Sequence, residues 1–154
     1  MSDFIRIKIH ADRRIAVVRP RHPALRKAPL SPDMLLKHPI ASVGIVPNFR
    51  KWLGPLGDRE ARNLRAFVSS DYALVKGRAL ESSFVACGPR FVFENELADG
   101  SLVELRLQAD VKYECWMLTT EAKWRSPVVK RIADFARAAM RRRTPRTTGR
   151  TSRA

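Results

Sequence analysis

Cysteine is almost missing from this chain. Cys87 and Cys115 are too few for a disulfide framework and lack CxxC spacing. The three histidines, His10, His22 and His38, all lie upstream of both cysteines, so no metal set is spaced for a structural zinc site and no metal is expected. No apolar run approaches the length of a membrane span. Residues 1–10 carry Asp3, Arg6 and Lys8 and offer neither the clean apolar stretch nor the small-residue cleavage site of a signal peptide. A cytoplasmic location and no membrane partner are therefore expected. GxSxG, P-loop, GxGxxG and HExxH motifs are also lacking. Glu94 and Glu96 lie two apart on a short helix, do not share a face, and read as a solvated pair rather than an acid/base couple. The expectation is no enzyme and no cofactor.

Acid is scarce as well: 15 acidic residues face 30 basic ones, a net charge of +15. Residues 141–154 hold six arginines and no acid, which leaves +9 on the other 140 residues. Such a balance points to nucleic acid or another acidic surface as a partner. The length of 154 residues with 45% apolar content fits one globular domain with a useful core.

Strands and helices alternate along the chain. Residues 13–18 read as a strand stopped by Arg19-Pro20, and residues 20–32 as a proline-rich loop. Ser31-Pro32 opens a short helix with Ser31 as N-cap, ending before Pro39. Residues 39–43 are a strand, and a helix runs from Phe49 to about Leu56, stopped by Pro55 and Gly57. A strand at 63–68 leads to Ser69-Ser70-Asp71, a serine-capped helix start, and residues 83–87 form an apolar strand suited to a buried parallel position. Gly88-Pro89 turns into a helix over 90–97, strands follow at 102–107 and 113–118, and Ser126-Pro127 opens the last helix. The class is α/β with a largely parallel sheet. Cys87 and the tryptophans Trp52, Trp116 and Trp124 read as packing residues, His22 and His38 as polar loop residues.

Three strand-to-helix turns stand out: Ser42-Val43-Gly44 continuing to Asn48-Phe49, then Ser69-Ser70-Asp71, then Gly88-Pro89-Arg90. In open parallel sheets ligands bind beyond the carboxyl ends of strands, and helix starts favour small anions. Ordinary capping explains the same residues, and spacing alone favours that reading.

Several segments resemble the effector-binding domain of LysR-type transcriptional regulators: RRIAVVRPRHPAL at 13–25, LSPDMLLKHPIA at 30–41, VACGPRFVFENELADGSLVEL at 85–105 and WRSPVVKRIADFARAAM at 124–140. Their order and spacing cover nearly all of residues 5–140. The resemblance implies a periplasmic-binding-protein-like (type 2) α/β fold in incomplete form, the second subdomain plus a remnant of the first. On this reading residues 1–143 form a partial effector-binding domain. Residues 1–38 are the first-subdomain remnant and crossover, 39–118 the second subdomain and 119–143 the returning segment with the C-terminal helix, while 144–154 form a disordered basic tail.

The resemblance further implies a sensor of a small, often anionic metabolite that modulates transcription. Ser42, Asn48, Phe49, Ser69, Ser70, Gly88 and Pro89 would line the effector site, and Arg90 would supply a counter-charge. The winged helix-turn-helix of the family has no counterpart in the sequence, so no site-specific DNA binding is expected of this chain alone. The apolar stripe of the last helix implies self-association. The alternative reading is a small basic protein that binds nucleic acid non-specifically through Arg141, Arg142, Arg143, Arg146, Arg150 and Arg153.

Overall fold

A computed structural model describes residues 4–44, 47–54, 66–108 and 110–143. The expected strand start at Asn63, the helix stop at Pro55 and Gly57, and the tail 144–154 lie outside these residues. Two compact units are present: Asp12–Tyr113, and Met1–Ala11 with Glu114–Ala154.

Strands β1 (Phe4–Val18), β2 (Ile40–Ser42), β3 (Ala66–Val68), β4 (Val85–Pro89), β5 (Val103–Leu105) and β6 (Val111–Thr120) form one sheet in the order β3-β2-β4-β1-β5, with β6 also pairing β1. In the larger unit, β2 runs parallel to β3 and β4, while β1 is antiparallel to both β4 and β5. Thus β5 lies parallel to β4 with β1 inserted between them, and the sheet is mixed rather than largely parallel. The inserted strand has the continuous apolar stretch Ile15–Val18, which suits burial on both faces.

Period-2 alternation distributes that stretch. Ala16 and Val18 join Leu30, Leu35, Ile40, Val85, Cys87 and Leu105 in one core layer. Ile15 and Val17 join Ala41, Val75, Ala79, Ala86 and Phe93 in the other. The first layer is covered by a 3-10 turn (Pro23–Lys27), α1 (Pro32–Leu35) and α2 (Pro47–Leu53). The second is covered by α3 (Tyr72–Glu81), a 3-10 turn (Arg90–Phe93) and α4 (Glu94–Ala98).

Local chemistry corrects several expectations. Ser31 occupies the N-cap of α1, but its hydroxyl donates to the Asp33 carboxylate and makes no cap bond to the backbone. Helix α2 ends at Leu53 rather than near Leu56, because Gly54 adopts φ 60° and its N–H reaches the Arg50 carbonyl at 3.0 Å. The cap of α3 is Asp71, not a serine: its carboxylate accepts the Ala73 N–H at 2.7 Å. Glu96 is no solvated residue, since it pairs with Lys76 at 2.7 Å with both side chains largely buried.

His22 is a buried structural residue rather than a loop polar group. Its Nδ1 accepts the Ala24 N–H at 3.1 Å, which leaves Nε2 to donate to the Ser83 carbonyl at 3.0 Å. His38 meets the His22 ring edge-on, with centroids 5.2 Å apart.

In the smaller unit, Arg6 and Lys8 alternate with Ile5, Ile7 and Ile9 along β1. The Arg6 guanidinium covers the Trp116 ring at 4.7 Å, and Lys8 pairs with Glu114. After a short helix α5 (Glu121–Trp124), helix α6 (Pro127–Arg143) buries Ala133, and its Arg137 Nε donates to the Lys8 carbonyl at 3.2 Å. Its opposite side leaves Val128, Ile132 and Phe135 exposed at 63%, 55% and 75%.

Candidate functional site

The carboxyl ends of β2, β3 and β4 finish side by side. Ser42 pairs in register with Val68 on one side and Cys87 on the other. One residue further, the Ser69 N–H donates to the Ser42 carbonyl at 3.2 Å, which sets these two serines on neighbouring strand ends.

Each serine oxygen also closes its own turn. Ser42 Oγ accepts the Gly44 N–H at 3.3 Å, and Ser69 Oγ accepts the Asp71 N–H at 3.1 Å. Gly44 takes φ 123°, a conformation that favours glycine, so this turn depends on that residue. With an acceptor lone pair used in each case, both O–H groups are left to donate. Such a pair suits a ligand that presents acceptor oxygens. Ser42 is buried, Ser69 half-buried and Ser70 exposed.

Gly88 and Pro89 do not form the expected strand-to-helix turn. They are the last residues of β4, buried, and pair with Ile15 and Arg14 of β1. The antiparallel neighbour β1 extends the ladder to this point, and proline, having no N–H, ends it. Arg90 does not stand alone as a cation: Glu104 accepts from it and also from Arg13, with Arg13 Nη1 at 3.0 Å. Asn48 and Phe49 lie in the first turn of α2, and their side chains are outside the described residues.

Two residues that the sequence reading did not select complete this end of the sheet. Tyr72, the first residue of α3, lies across Gly88. Burial pushes its phenol above the ordinary value, and the neighbouring Arg14, which hydrogen-bonds it, restrains that shift. Arg14 is 5% exposed. Strand alternation was the available signal, because Arg14 shares the face of Ala16 and Val18. Cys87, on the same face as Ala16 and Val18, is a core residue whose thiol burial pushes up to about 12.

Among the described residues no group of three His, Cys, Asp or Glu side chains could hold a metal ion, and no helix is long and apolar enough to cross a membrane. In the basic C-terminal segment, Arg141 is exposed at the end of α6, whereas the side chains of Arg142 and Arg143 and all of Arg146, Arg150 and Arg153 lie outside the described residues.

No curated protein matches the sequence. Solved structures match the fold. A cysteine-to-serine variant of the regulatory domain of MetR, a LysR family regulator from N. meningitidis, is 12% identical with a TM-score of 0.70 over 90% of this chain and 65% of that one. The regulatory domain of CrgA, a LysR-type transcriptional regulator from Neisseria meningitidis, is 15% identical with a TM-score of 0.62 over 90% and 70%. The effector-binding domain of AmpR from Citrobacter freundii is 14% identical with a TM-score of 0.61 over 92% and 70%. The chain thus spans 65–70% of the length of these domains. The family model of the LysR substrate binding domain matches residues 1–141, so the chain belongs to that family of transcriptional regulator domains.

Proposed function

We propose that this chain is the effector-sensing part of a LysR-type regulator, taking a small metabolite with acceptor oxygens at the carboxyl ends of β2, β3 and β4. The observation that carries the reading is the Ser69 N–H to Ser42 carbonyl bond, which supports two hydroxyl donors acting from adjacent strand ends. Ser70, Asn48 and Phe49 belong to the same proposed site. Gly88 and Pro89 contribute shape, since both lie within the strand that pairs with β1 and proline has no N–H. Arg90 contributes only part of its charge, because Glu104 holds it. Asp71 places a carboxylate at the start of α3, so attraction for an anion comes from the hydroxyls and not from the helix dipole. Ligand binding would shift the population between two arrangements of a DNA-bound oligomer. Copies of the chain would associate through the exposed face of α6, and contact with DNA by this chain alone would be indifferent to sequence. The rival reading, nucleic-acid binding through the C-terminal arginines, gains nothing from the family match.

The test is a chemical-shift titration of the full chain with small carboxylates and sulfate. Saturable shifts at 42–44 and 69–71, lost in Ser69→Ala with Ser70→Ala, are expected. A millimolar constant, about 4 kcal/mol, is what a few hydrogen bonds on an open surface provide. Shifts confined to the arginine-rich C-terminus would refute the reading.

A further inference from the structure

A second concavity lies across β1 from the serine-bearing strand ends. β5 pairs with β1 from Val18 to Ala16, where Leu105 is the partner of Ala16. Beyond Leu105 the chain leaves β1 and is pinned elsewhere. The Leu30 N–H donates to the Arg106 carbonyl at 2.9 Å, the Gln108 N–H donates to the Leu30 carbonyl at 2.9 Å, and the Gln108 amide donates to the Pro29 carbonyl at 3.3 Å. At Arg14 and Ile15, therefore, β1 keeps β4 on one side and borders an open groove on the other, with a volume of about 510 Å³. That volume falls within the range of small-molecule sites.

The lining has two characters. Pro29, Ile15, Leu105 and Leu107 give an apolar part, and Arg13, Arg14 and Arg106 give a cationic one. Glu104 and Asp110 oppose those charges, but Glu104 is divided between Arg13 and Arg90. Arg106 is exposed and pairs with no carboxylate among the described residues. The balance around the groove is positive, and its walls concentrate that potential.

We propose that this groove is a binding site for a small molecule with an apolar body and a single carboxylate. The body rests on Pro29, Leu105 and Leu107, and the carboxylate pairs with Arg106, a residue whose planar fork matches it. The inference does not depend on the sensing role proposed for the serine-bearing strand ends: Arg14 borders both places, but Pro29, Leu105, Arg106 and Leu107, which would hold the ligand, belong to the groove alone.

The test is a titration of the isotope-labelled full chain with three probes: benzoate, benzyl alcohol and sulfate. Benzoate should move the amide signals of 13–15 and 105–108 saturably, while benzyl alcohol, lacking the charge, and sulfate, lacking the apolar body, bind at least about fivefold more weakly. Arg106→Glu should abolish the benzoate response, and Leu107→Ala should weaken it. Arg106 is on the surface, so the charge reversal leaves the fold intact, which an unchanged spectrum away from the groove verifies. The proposal is overturned by linear, unsaturable benzoate shifts, by an unaltered benzoate response in Arg106→Glu, or by benzoate shifts confined to 42–44 and 69–71. The last outcome would leave the sensing role standing. Saturation at 13–15 and 105–108 with no response at the serines would do the reverse.

Discussion

The Tyr72 ring lies so close over Gly88 that a Cβ there would stand 2.8 Å from Tyr72 Cε1, with Phe93 Cε2 at 3.1 Å. The missing side chain lets the first residue of α3 close over the end of β4. Two elements that flank the candidate site are thereby fixed to each other within the larger unit.

Gly88→Ala should therefore destabilise the chain. Overpacking costs about 1–3 kcal/mol, offset by roughly 0.4–1 kcal/mol from reduced freedom of the unfolded chain. A lower urea midpoint with unchanged m-value is the expected result, and Tyr72→Ala in the Gly88→Ala background should recover part of the loss by removing the clash.

His22→Ala should cost about 1–3 kcal/mol, because the Ser83 carbonyl and the Ala24 N–H both lose their partner in a buried setting. Equilibrium unfolding measures it. A change confined to a few tenths of a kcal/mol would mean that water replaces the ring at no penalty.

His38 gives the fold a pH dependence of known sign. Burial first, then electrostatic interaction with the neighbouring His22 and Lys27, lowers it from its ordinary 6.5. A lowered histidine is held neutral in the fold, so the unfolded chain binds the proton more tightly. This contribution is complete above the ordinary value and is lost as pH falls through it toward the folded value. Urea midpoints at about pH 7.5 and about pH 5.5 should differ less in His38→Gln than in the parent chain.

Cys87 should resist thiol reagents in the native state. Its thiol is buried and pushed up to about 12, with only partial relief from Arg14, so thiolate is scarce at neutral pH. Maleimide labelling followed by mass mapping should find Cys87 modified only after denaturation. Rapid native labelling would show that β4 opens on the labelling timescale.

Helix α6 should drive association between copies. Val128, Ile132 and Phe135 are exposed at successive four- and three-residue steps, and fully burying one such side chain is worth roughly 1.5–3 kcal/mol. Sedimentation velocity should show a concentration-dependent increase in mass that Phe135→Glu reduces. Raising the salt should favour association, because it screens the net charge of +15 that opposes contact between copies.

Much of the local structure was legible in the residues. Ser126-Pro127 opening α6 and the apolar run before Cys87 carry their own capping and burial chemistry. The period-2 alternation of Ile5, Ile7 and Ile9 with Arg6 and Lys8 also marks a strand, although the charges drew the reading toward targeting signals alone. The serine ends of the candidate site were visible too, because strand-to-helix turns have a recognisable composition. Their cap was misassigned, since Ser69, Ser70 and Asp71 are all good caps and only backbone geometry chooses Asp71.

By itself the sequence determined the α/β class, the burial of Cys87, the start of α6 at Ser126-Pro127 and the family resemblance, because these rest on composition, periodicity and ordered motifs. The tertiary structure alone decided the strand order. Insertion of β1 antiparallel between β4 and β5 turned Gly88-Pro89 from a turn into a strand end and divided Glu104 between Arg13 and Arg90. It also left the groove beside Arg14 where β5 departs. The physical reason is that a strand's pattern reports which faces are buried but not which neighbour supplies its hydrogen bonds. Pairing partners are set by contacts between residues distant in sequence, and local propensity carries no record of them.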